Sequence, residues 1–155
     1  MNEYLSQIIA SLKVLWISVF GLLYGLGGIN HKWIRRYCGA LWMGLGVFIF
    51  AEWQNTFHWY YLIYPILLCA SLHIGYGGTD NVWIKICKRT IYGMALAISA
   101  LPLCFSSHLW FLFGMHCVLC IMGSIFLGVF NISSNARSEE NLVAVLSTLI
   151  PLYLI

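Results

Sequence analysis

The chain alternates between long apolar runs and short polar connections. The apolar runs lie near residues 5 to 26, 37 to 52, 58 to 76, 90 to 105, 108 to 130 and 141 to 155. A bilayer crossing needs about 17 to 25 residues, and it has to be helical because lipid offers free backbone groups no partner. The pattern predicts an all-α integral membrane protein with about six short transmembrane helices. Because several runs are short, four full crossings with re-entrant hairpins are the alternative.

Composition agrees with a membrane location. Hydrophobic residues make up 61% of the 155 residues, and charged residues only 8%. A soluble domain needs a more charged surface to stay dispersed. The net charge of +3 is small and forms no basic tail or stripe, so nucleic acid is not expected as a partner. The six cysteines are scattered through apolar segments, which argues against a disulfide scaffold.

Seven of the eight lysines and arginines fall in connections on one side of the predicted helices. They are Lys32, Arg35, Arg36, Lys85, Lys88, Arg89 and Arg137. Connections rich in Lys and Arg face the cytoplasm, which predicts a multi-pass membrane protein with its basic loops in the cytoplasm and both termini outside. The first six of these cations are predicted to contact the headgroups of anionic lipids. Lys13 is expected to reach toward the opposite surface.

Two of the predicted hairpins share a sequence pattern. Gly25-Leu-Gly-Gly28 precedes Trp33-Ile34-Arg35, and Gly75-Tyr-Gly-Gly78 precedes Trp83-Ile84-Lys85 fifty residues later. The repeat predicts a single membrane domain, residues 1–155, built from hairpins at about 1–52, 53–105 and 106–155, of which the first two are clearly related. Left-handed glycines close such turns, and we assign this role to Gly27, Gly28, Gly77 and Gly78. Anion binding by the same glycines is the alternative.

Small residues and prolines add two expectations about packing. Small residues spaced four apart allow helices to approach closely, and they occur at Gly21 and Gly25, Gly93 and Ala97, Ala40 and Gly44, and Ser124 and Gly128. Pro65 and Pro102 are predicted to kink the third and fourth segments, since proline removes a helical hydrogen bond.

Few ionisable residues lie within the predicted spans. His73 and His116 are the interior ones, and Glu52, His58 and His108 lie nearer the outer surface. Intramembrane ionisable residues are functional candidates by default, so these five form a candidate pore or polar site. No acidic residue lies in mid-span. That weakens proton-coupled transport and removes the carboxylate pairs of a hydrolase, so no catalytic residue is assigned and an enzyme is not favoured.

Two histidine–cysteine pairs suggest a metal site. Cys69 and His73 are four residues apart, as are His116 and Cys120, so each pair projects from one helical face. Together they could supply a Cys₂His₂ site for zinc or copper(I), but their depths differ by about 5 Å at the rise of an α-helix. The favoured interpretation is a neutral histidine bonded to a backbone carbonyl beside a buried thiol, and no cofactor is expected.

Two adjacent acids, Glu139 and Glu140, precede the last apolar run. Acidic side chains in a first helical turn favour the helix dipole, and this is their simplest predicted role.

The stretch Gly27-Gly-Ile-Asn-His-Lys-Trp-Ile-Arg-Arg36, with Gly75-Tyr-Gly-Gly78 and Tyr92-Gly-Met-Ala-Leu-Ala-Ile-Ser-Ala-Leu-Pro102, resembles small uncharacterised multi-pass membrane proteins of bacteria and bacteriophages. The resemblance covers about residues 25 to 102. It implies a prokaryotic inner membrane, and it implies no activity and no site residues.

Three functions are compatible with these features. The leading hypothesis is a small channel or transporter-like protein, because of the repeat, the prolines and the interior histidines. The alternative is a non-transport phage or host membrane component, holin-like, lysis-associated or interacting with a partner, whose basic loops bind anionic lipid or a cytoplasmic protein. A lipid-modifying enzyme comes third, since Glu52, His58 and His108 could share one depth. A second copy of the chain is a further candidate partner.

Overall fold

A computed structural model of the protein describes residues 2–25, 31–75, 81–129 and 136–155. All regular structure in these ranges is helical, which confirms the all-α part of the prediction. The helices are α1 (Glu3–Gly25), α2 (Lys32–Trp53), α3 (Ile63–Ile74), α4 (Val82–Ser99), α5 (Leu101–Ser107), α6 (Trp110–Val129) and α7 (Ala136–Leu146), with 3₁₀ turns at Trp59–Leu62 and Pro151–Tyr153. Four helical segments are long and apolar enough to cross a membrane: Glu3–Tyr24, Lys32–Trp53, Val82–Ser107 and Trp110–Leu127.

The helices pack in an order that closes on itself. α1 packs on α2, α2 on α3, α3 on α4, α4 on α6, α6 on α7, and α7 returns to α1. Buried aromatic and aliphatic side chains fill the ring, among them Phe20, Met43, Tyr64 and Tyr92. We call the end at which α2 and α4 begin the basic end of the bundle, because Lys32, Arg35, Arg36 and Arg89 lie there.

Two tryptophans fix α1 against α2. The rings of Trp16 and Trp42 stack with centroids 3.9 Å apart. Each indole N–H donates to the backbone carbonyl of the other residue, at 2.9 Å from Trp16 and 3.0 Å from Trp42. A buried indole N–H needs an acceptor, and here each helix supplies the acceptor for the other.

Small residues bring the helices together as predicted. A Cβ atom at Gly93 of α4 would lie 2.7 Å from the backbone oxygen of Cys120 and 2.8 Å from the Cα of Ile121, both on α6. A Cβ atom at Gly44 of α2 would lie 2.7 Å from Pro65 of α3. These contacts are between helices of one chain, so both glycines serve the packing of the bundle itself.

Both prolines lie in the first turn of a helix. α4 stops at Ser99 and α5 starts at Leu101, so the predicted break near Pro102 is present. Pro65 lies in the first turn of α3, where its missing N–H removes little.

The last segment is less regular than predicted. The apolar run at 141 to 155 predicts one helix, whereas α7 begins at Ala136 and ends at Leu146. Ser147 and Thr148 then donate to carbonyls three residues back, which competes with helical hydrogen bonding, and Pro151 cannot continue a helix. The remaining tail packs inside the ring, with Leu152 fully buried.

The close approach of α4 and α6 predicts the effect of one methyl group. Gly93→Ala should lower the free energy of unfolding by roughly 1–3 kcal/mol, because overpacked sites must shift backbone. Gly114→Ala is the matched control on α6, since nothing lies within 4 Å of its Cβ position; it should be neutral or stabilise by up to about 1 kcal/mol. Thermal unfolding in detergent, followed by circular dichroism, measures both. Equal effects of the two substitutions would contradict the packing described here.

Candidate functional site

The two adjacent acids of α7 bind two different helices at the basic end. Nη2 of Arg36, on α2, donates to Oε1 of Glu140 at 2.8 Å. Nη2 of Arg89, on α4, donates to Oε2 of Glu139 at 3.0 Å. Consecutive helical residues point about 100° apart, so one turn of α7 can hold both partners. We call Arg36, Arg89, Glu139 and Glu140 the arginine–glutamate cluster.

The cluster is largely removed from solvent. The side chains of Arg89 and Glu139 are 5% and 4% exposed, and those of Arg36 and Glu140 are 8% and 19% exposed. Burying two charges costs several kcal/mol per ion before their attraction offsets it. An apolar contact would therefore hold α7 at least as well, and the ionic contact needs a reason beyond stability.

Neighbouring groups complete the surroundings of the cluster. The hydroxyl of Ser124, on α6, donates to the carbonyl of Arg89 at 2.7 Å. The guanidinium of Arg36 lies over the ring of Trp33 at 5.4 Å, and that of Arg35 lies over the ring of Tyr24 at 5.5 Å. Planar guanidinium groups stack well on aromatic faces, so these rings orient both arginines.

Gly75 ends α3 beside one of the ion pairs. Its φ of +58° is favoured by glycine and strained for other residues. A Cβ atom there would lie 3.2 Å from Nη2 of Arg36 and 3.3 Å from the carboxylate oxygens of Glu140. Gly75 therefore ends the helix and leaves room for the ion pair.

Three of the cations that were predicted to contact lipid headgroups lie inside the bundle. They are Arg35, Arg36 and Arg89. Lys32 is exposed, with Nζ 5.2 Å from the ring of Trp33, while Lys85 and Lys88 are half-buried. The predicted turn glycines Gly27, Gly28, Gly77 and Gly78 lie outside the described residues.

The two interior histidines occupy different surroundings. His116 is fully buried, and its ring lies near the backbone of Leu96 on α4. His73 is half-buried; its Nδ1 donates to the carbonyl of Cys69 at 2.7 Å, and its ring lies 4.8 Å from that of Trp33. The bond of His73 matches the predicted contact of a histidine with a backbone carbonyl.

The histidine–cysteine pairs are local contacts. Sγ of Cys69 lies 3.8 Å from Nδ1 of His73, and Sγ of Cys120 lies 3.7 Å from Nε2 of His116. Within the described ranges no three or more His, Cys, Asp or Glu side chains form a group able to hold a metal.

Glu52, His58 and His108 are all exposed at the opposite end. His58 stacks on Tyr60 at 5.1 Å, and His108 ends α5 with a φ of +53°. The two connections that carry the histidines are joined by a hydrogen bond between the hydroxyls of Tyr61 and Ser106. The three predicted side chains thus share one end of the bundle, but no bond among the described residues joins them.

Sequence reasoning assigned Glu139 and Glu140 to the helix dipole and missed their partners. The scarcity of charge could have indicated these partners. The chain has five acidic residues, and a buried arginine is almost always paired, so two adjacent acids are candidate partners of arginine.

Comparison of the chain with protein-family models, with curated proteins and with solved structures finds no match.

Neutralising one member of the buried pair should destabilise the bundle. Glu139→Gln should lower the free energy of unfolding by about 3–5 kcal/mol, because Arg89 keeps its charge without a counter-charge. Arg89→Met combined with Glu139→Met should cost clearly less than the sum of the two single changes. Glu52→Gln is the exposed control and should stay within about 0.5 kcal/mol of the unsubstituted protein. Thermal or denaturant unfolding in detergent gives the values for all five variants, and additive effects of Arg89→Met and Glu139→Met would count against a coupled pair.

Proposed function

We propose that the protein is a small channel or transporter-like protein of a prokaryotic inner membrane, closed at its basic end by the arginine–glutamate cluster. The observation that carries this proposal is the burial of two ion pairs at the point where α7 completes the ring of helices. Charges buried at the end of a membrane bundle are expensive and mark functional elements more often than structural ones.

Ion pairs suit a gate because they have two favourable states. In the closed state each guanidinium is paired with a carboxylate. In the open state both groups are hydrated. An apolar seal has no comparable second state, since exposing it to water is unfavourable. The cluster joins α7 to α2 and α4. Breaking the pairs would loosen α7 from those two helices, while its packing on α1 and α6 would remain.

Polar side chains continue from the cluster into the core. The hydroxyl of Ser71, on α3, donates to the carbonyl of Ala95 on α4 at 2.8 Å, and His116 on α6 is fully buried. The hydroxyl of Tyr64 is buried with no hydrogen-bond partner in the described part of the chain. A hydroxyl left unsatisfied costs about 1–3 kcal/mol, which favours a role in binding a passing polar group.

The proposed orientation places the basic end in the cytoplasm and both ends of the chain outside. It is supported by the cation distribution, because connections rich in Lys and Arg face the cytoplasm.

A second candidate function is a non-transport membrane component. Exposed Trp33, Val82 and Trp83 lie close in sequence to Lys32 and Lys85, and such a surface suits anionic lipid or a cytoplasmic partner.

Release from vesicles tests the gate. The protein is reconstituted into phosphatidylethanolamine–phosphatidylglycerol liposomes, and the release of small ions and dyes is followed. Glu140→Gln weakens the closed state; a loss of about 1.4 kcal/mol raises the open fraction about tenfold, and release should rise accordingly.

Glu3→Gln is the control for release, because Glu3 is exposed and belongs to no predicted site, and it should match the unsubstituted protein. His116→Ala and His73→Ala report whether the interior histidines line the path. Vesicles that stay tight with every variant would reject the conduit and favour the non-transport component.

Orientation is tested with one cysteine at each end. Lys32→Cys and Glu52→Cys replace exposed residues at the basic and opposite ends. With intact cells and a membrane-impermeant maleimide, Glu52→Cys should be labelled above the background of the native cysteines, and Lys32→Cys only after permeabilisation. The reverse pattern would place the basic end outside.

A further inference from the structure

An open groove of about 490 Å³ runs between α2 and α3 on the outside of the bundle. Most of its wall is apolar, with Ala40 and Leu41 on α2 and Pro65, Ile66 and Ala70 on α3. Ligand sites in proteins commonly enclose about 300–1,000 Å³. The groove therefore has room for one extended apolar chain.

Polar side chains stand at one end of the groove, which is the basic end of the bundle. Tyr37 and His73 line this end, with ring centroids 5.2 Å apart. The ring of Trp33 lies 4.8 Å from that of His73, and Nζ of Lys32 lies 5.2 Å from the Trp33 ring. Lys32, Trp33 and Tyr37 are exposed. An ammonium, an indole N–H and a phenol hydroxyl are thus available as donors at the mouth of the groove.

His73 adds a hydrogen-bond acceptor to this end. Its Nδ1 bonds to the carbonyl of Cys69 at 2.7 Å, and because a carbonyl only accepts, Nδ1 carries the hydrogen. The Nε2 atom of a neutral imidazole with this tautomer is an acceptor. The polar end therefore suits a group that is negatively charged and also carries a hydroxyl.

The groove has the length of one leaflet of a bilayer. Pro65 and His73 are eight residues apart, about 12 Å along α3, and a leaflet is half of a hydrocarbon core about 30 Å thick. The segment Lys32–Trp53 beside it is long and apolar enough to cross a membrane. In a membrane, the polar end of the groove would lie at the headgroups and its apolar part among the acyl chains.

The charges of the chain favour a lipid over a second copy as the occupant. Among the described residues, the acids outside the arginine–glutamate cluster are Glu3 and Glu52. Glu52 lies at the end opposite the basic end, and so does Glu3, because the other end of α1 brings Tyr24 to Arg35. A second copy inserted in the same direction would bring neither carboxylate to Lys32, whereas an anionic phospholipid brings a phosphate.

We infer that this groove binds one anionic phospholipid of the phosphatidylglycerol class. An acyl chain lies along Ala40, Ile66 and Ala70, the phosphate binds Lys32, and a headgroup hydroxyl donates to Nε2 of His73. The contact of an exposed ammonium with an aromatic face is weaker than a charge-assisted bond, so Lys32 can leave Trp33 for the phosphate. The inference rests on the membrane location of the proposed function, but it does not need the conduit.

Native mass spectrometry of the full chain in detergent counts bound lipids and gives their dissociation constants. The probes are dioleoyl phosphatidylglycerol and dioleoyl phosphatidylcholine, which share their acyl chains and differ in net charge. One phosphatidylglycerol should bind with a preference of about tenfold over phosphatidylcholine, as one charge-assisted contact provides.

Two substitutions test the polar end. Lys32→Gln should reduce the preference to within about twofold, because the charge-assisted contact is lost. Lys88→Gln is the comparison: Lys88 was also predicted to contact headgroups, but it lies on α4, away from the groove, and its loss should change the preference much less. His73→Phe keeps a ring beside Trp33 and removes the acceptor, so it should weaken phosphatidylglycerol by about fivefold and leave phosphatidylcholine unchanged.

One substitution tests the apolar part. Ala70 is exposed and lines the groove, so Ala70→Leu should fill the space of about two methylene groups and weaken both lipids by about tenfold. Ala10→Leu, at an exposed alanine of α1, is the matched control and should bind both lipids as the unsubstituted protein does. The stacked pair Trp16 and Trp42 gives a circular dichroism couplet that verifies folding of every variant.

Equal binding of the two lipids, or a preference that survives in folded Lys32→Gln, would overturn the site. Equal effects of Ala70→Leu and Ala10→Leu would also reject the groove. A dimer without bound lipid, lost in Ala70→Leu but not in Ala10→Leu, would assign the groove to a second copy instead. Lipid preference together with tight vesicles would reject the conduit and keep the site, whereas ion release without lipid preference would do the opposite.

Discussion

A buried arginine needs a counter-charge beside it, and the arrangement of this bundle depends on that constraint. The two pairs Arg36–Glu140 and Arg89–Glu139 connect α7 with α2 and α4. Since α7 also lies between α6 and α1, these pairs decide where the ring of helices closes. The long helices are held by contacts of another kind, namely stacked indoles and glycine-mediated approach. Ionic contacts thus join α7 to α2 and α4, and apolar contacts join the long helices to one another.

Hydrophobic periodicity was sufficient to find the helical segments, but it did not show where they begin. The apolar runs start near 37 and 90, whereas α2 starts at Lys32 and α4 at Val82. Each helix includes a basic turn that a search for apolar residues leaves out. Arg36 and Arg89 are nevertheless buried, because acids from elsewhere in the chain pair with them, and apolarity alone cannot reveal this. The end of α7 shows the converse: the run from 141 to 155 stays apolar, but Pro151 forbids a continuous helix.

For the candidate site, local spacing predicted local contacts and nothing more. Four-residue spacing correctly placed Cys69 beside His73, and His116 beside Cys120. The ion pairs join residues 104 and 50 positions apart, and their recognition requires the order in which helices meet. The buried position of Lys13 depends in the same way on Tyr153 of the tail, which comes from the far end of the sequence.

The location of Glu139 and Glu140 in the last helix of the chain has a consequence for biosynthesis. A ribosome delivers α1 to α6 before α7, so Arg36 and Arg89 emerge well ahead of their partners. Until α7 arrives, each guanidinium must keep its hydration, which retains the first turns of α2 and α4 at the aqueous boundary. The hairpin of α1 and α2, with its mutual tryptophan contacts, is complete at that stage. The ion pairs of α7 can therefore form only after the contacts between α1 and α2 have become possible.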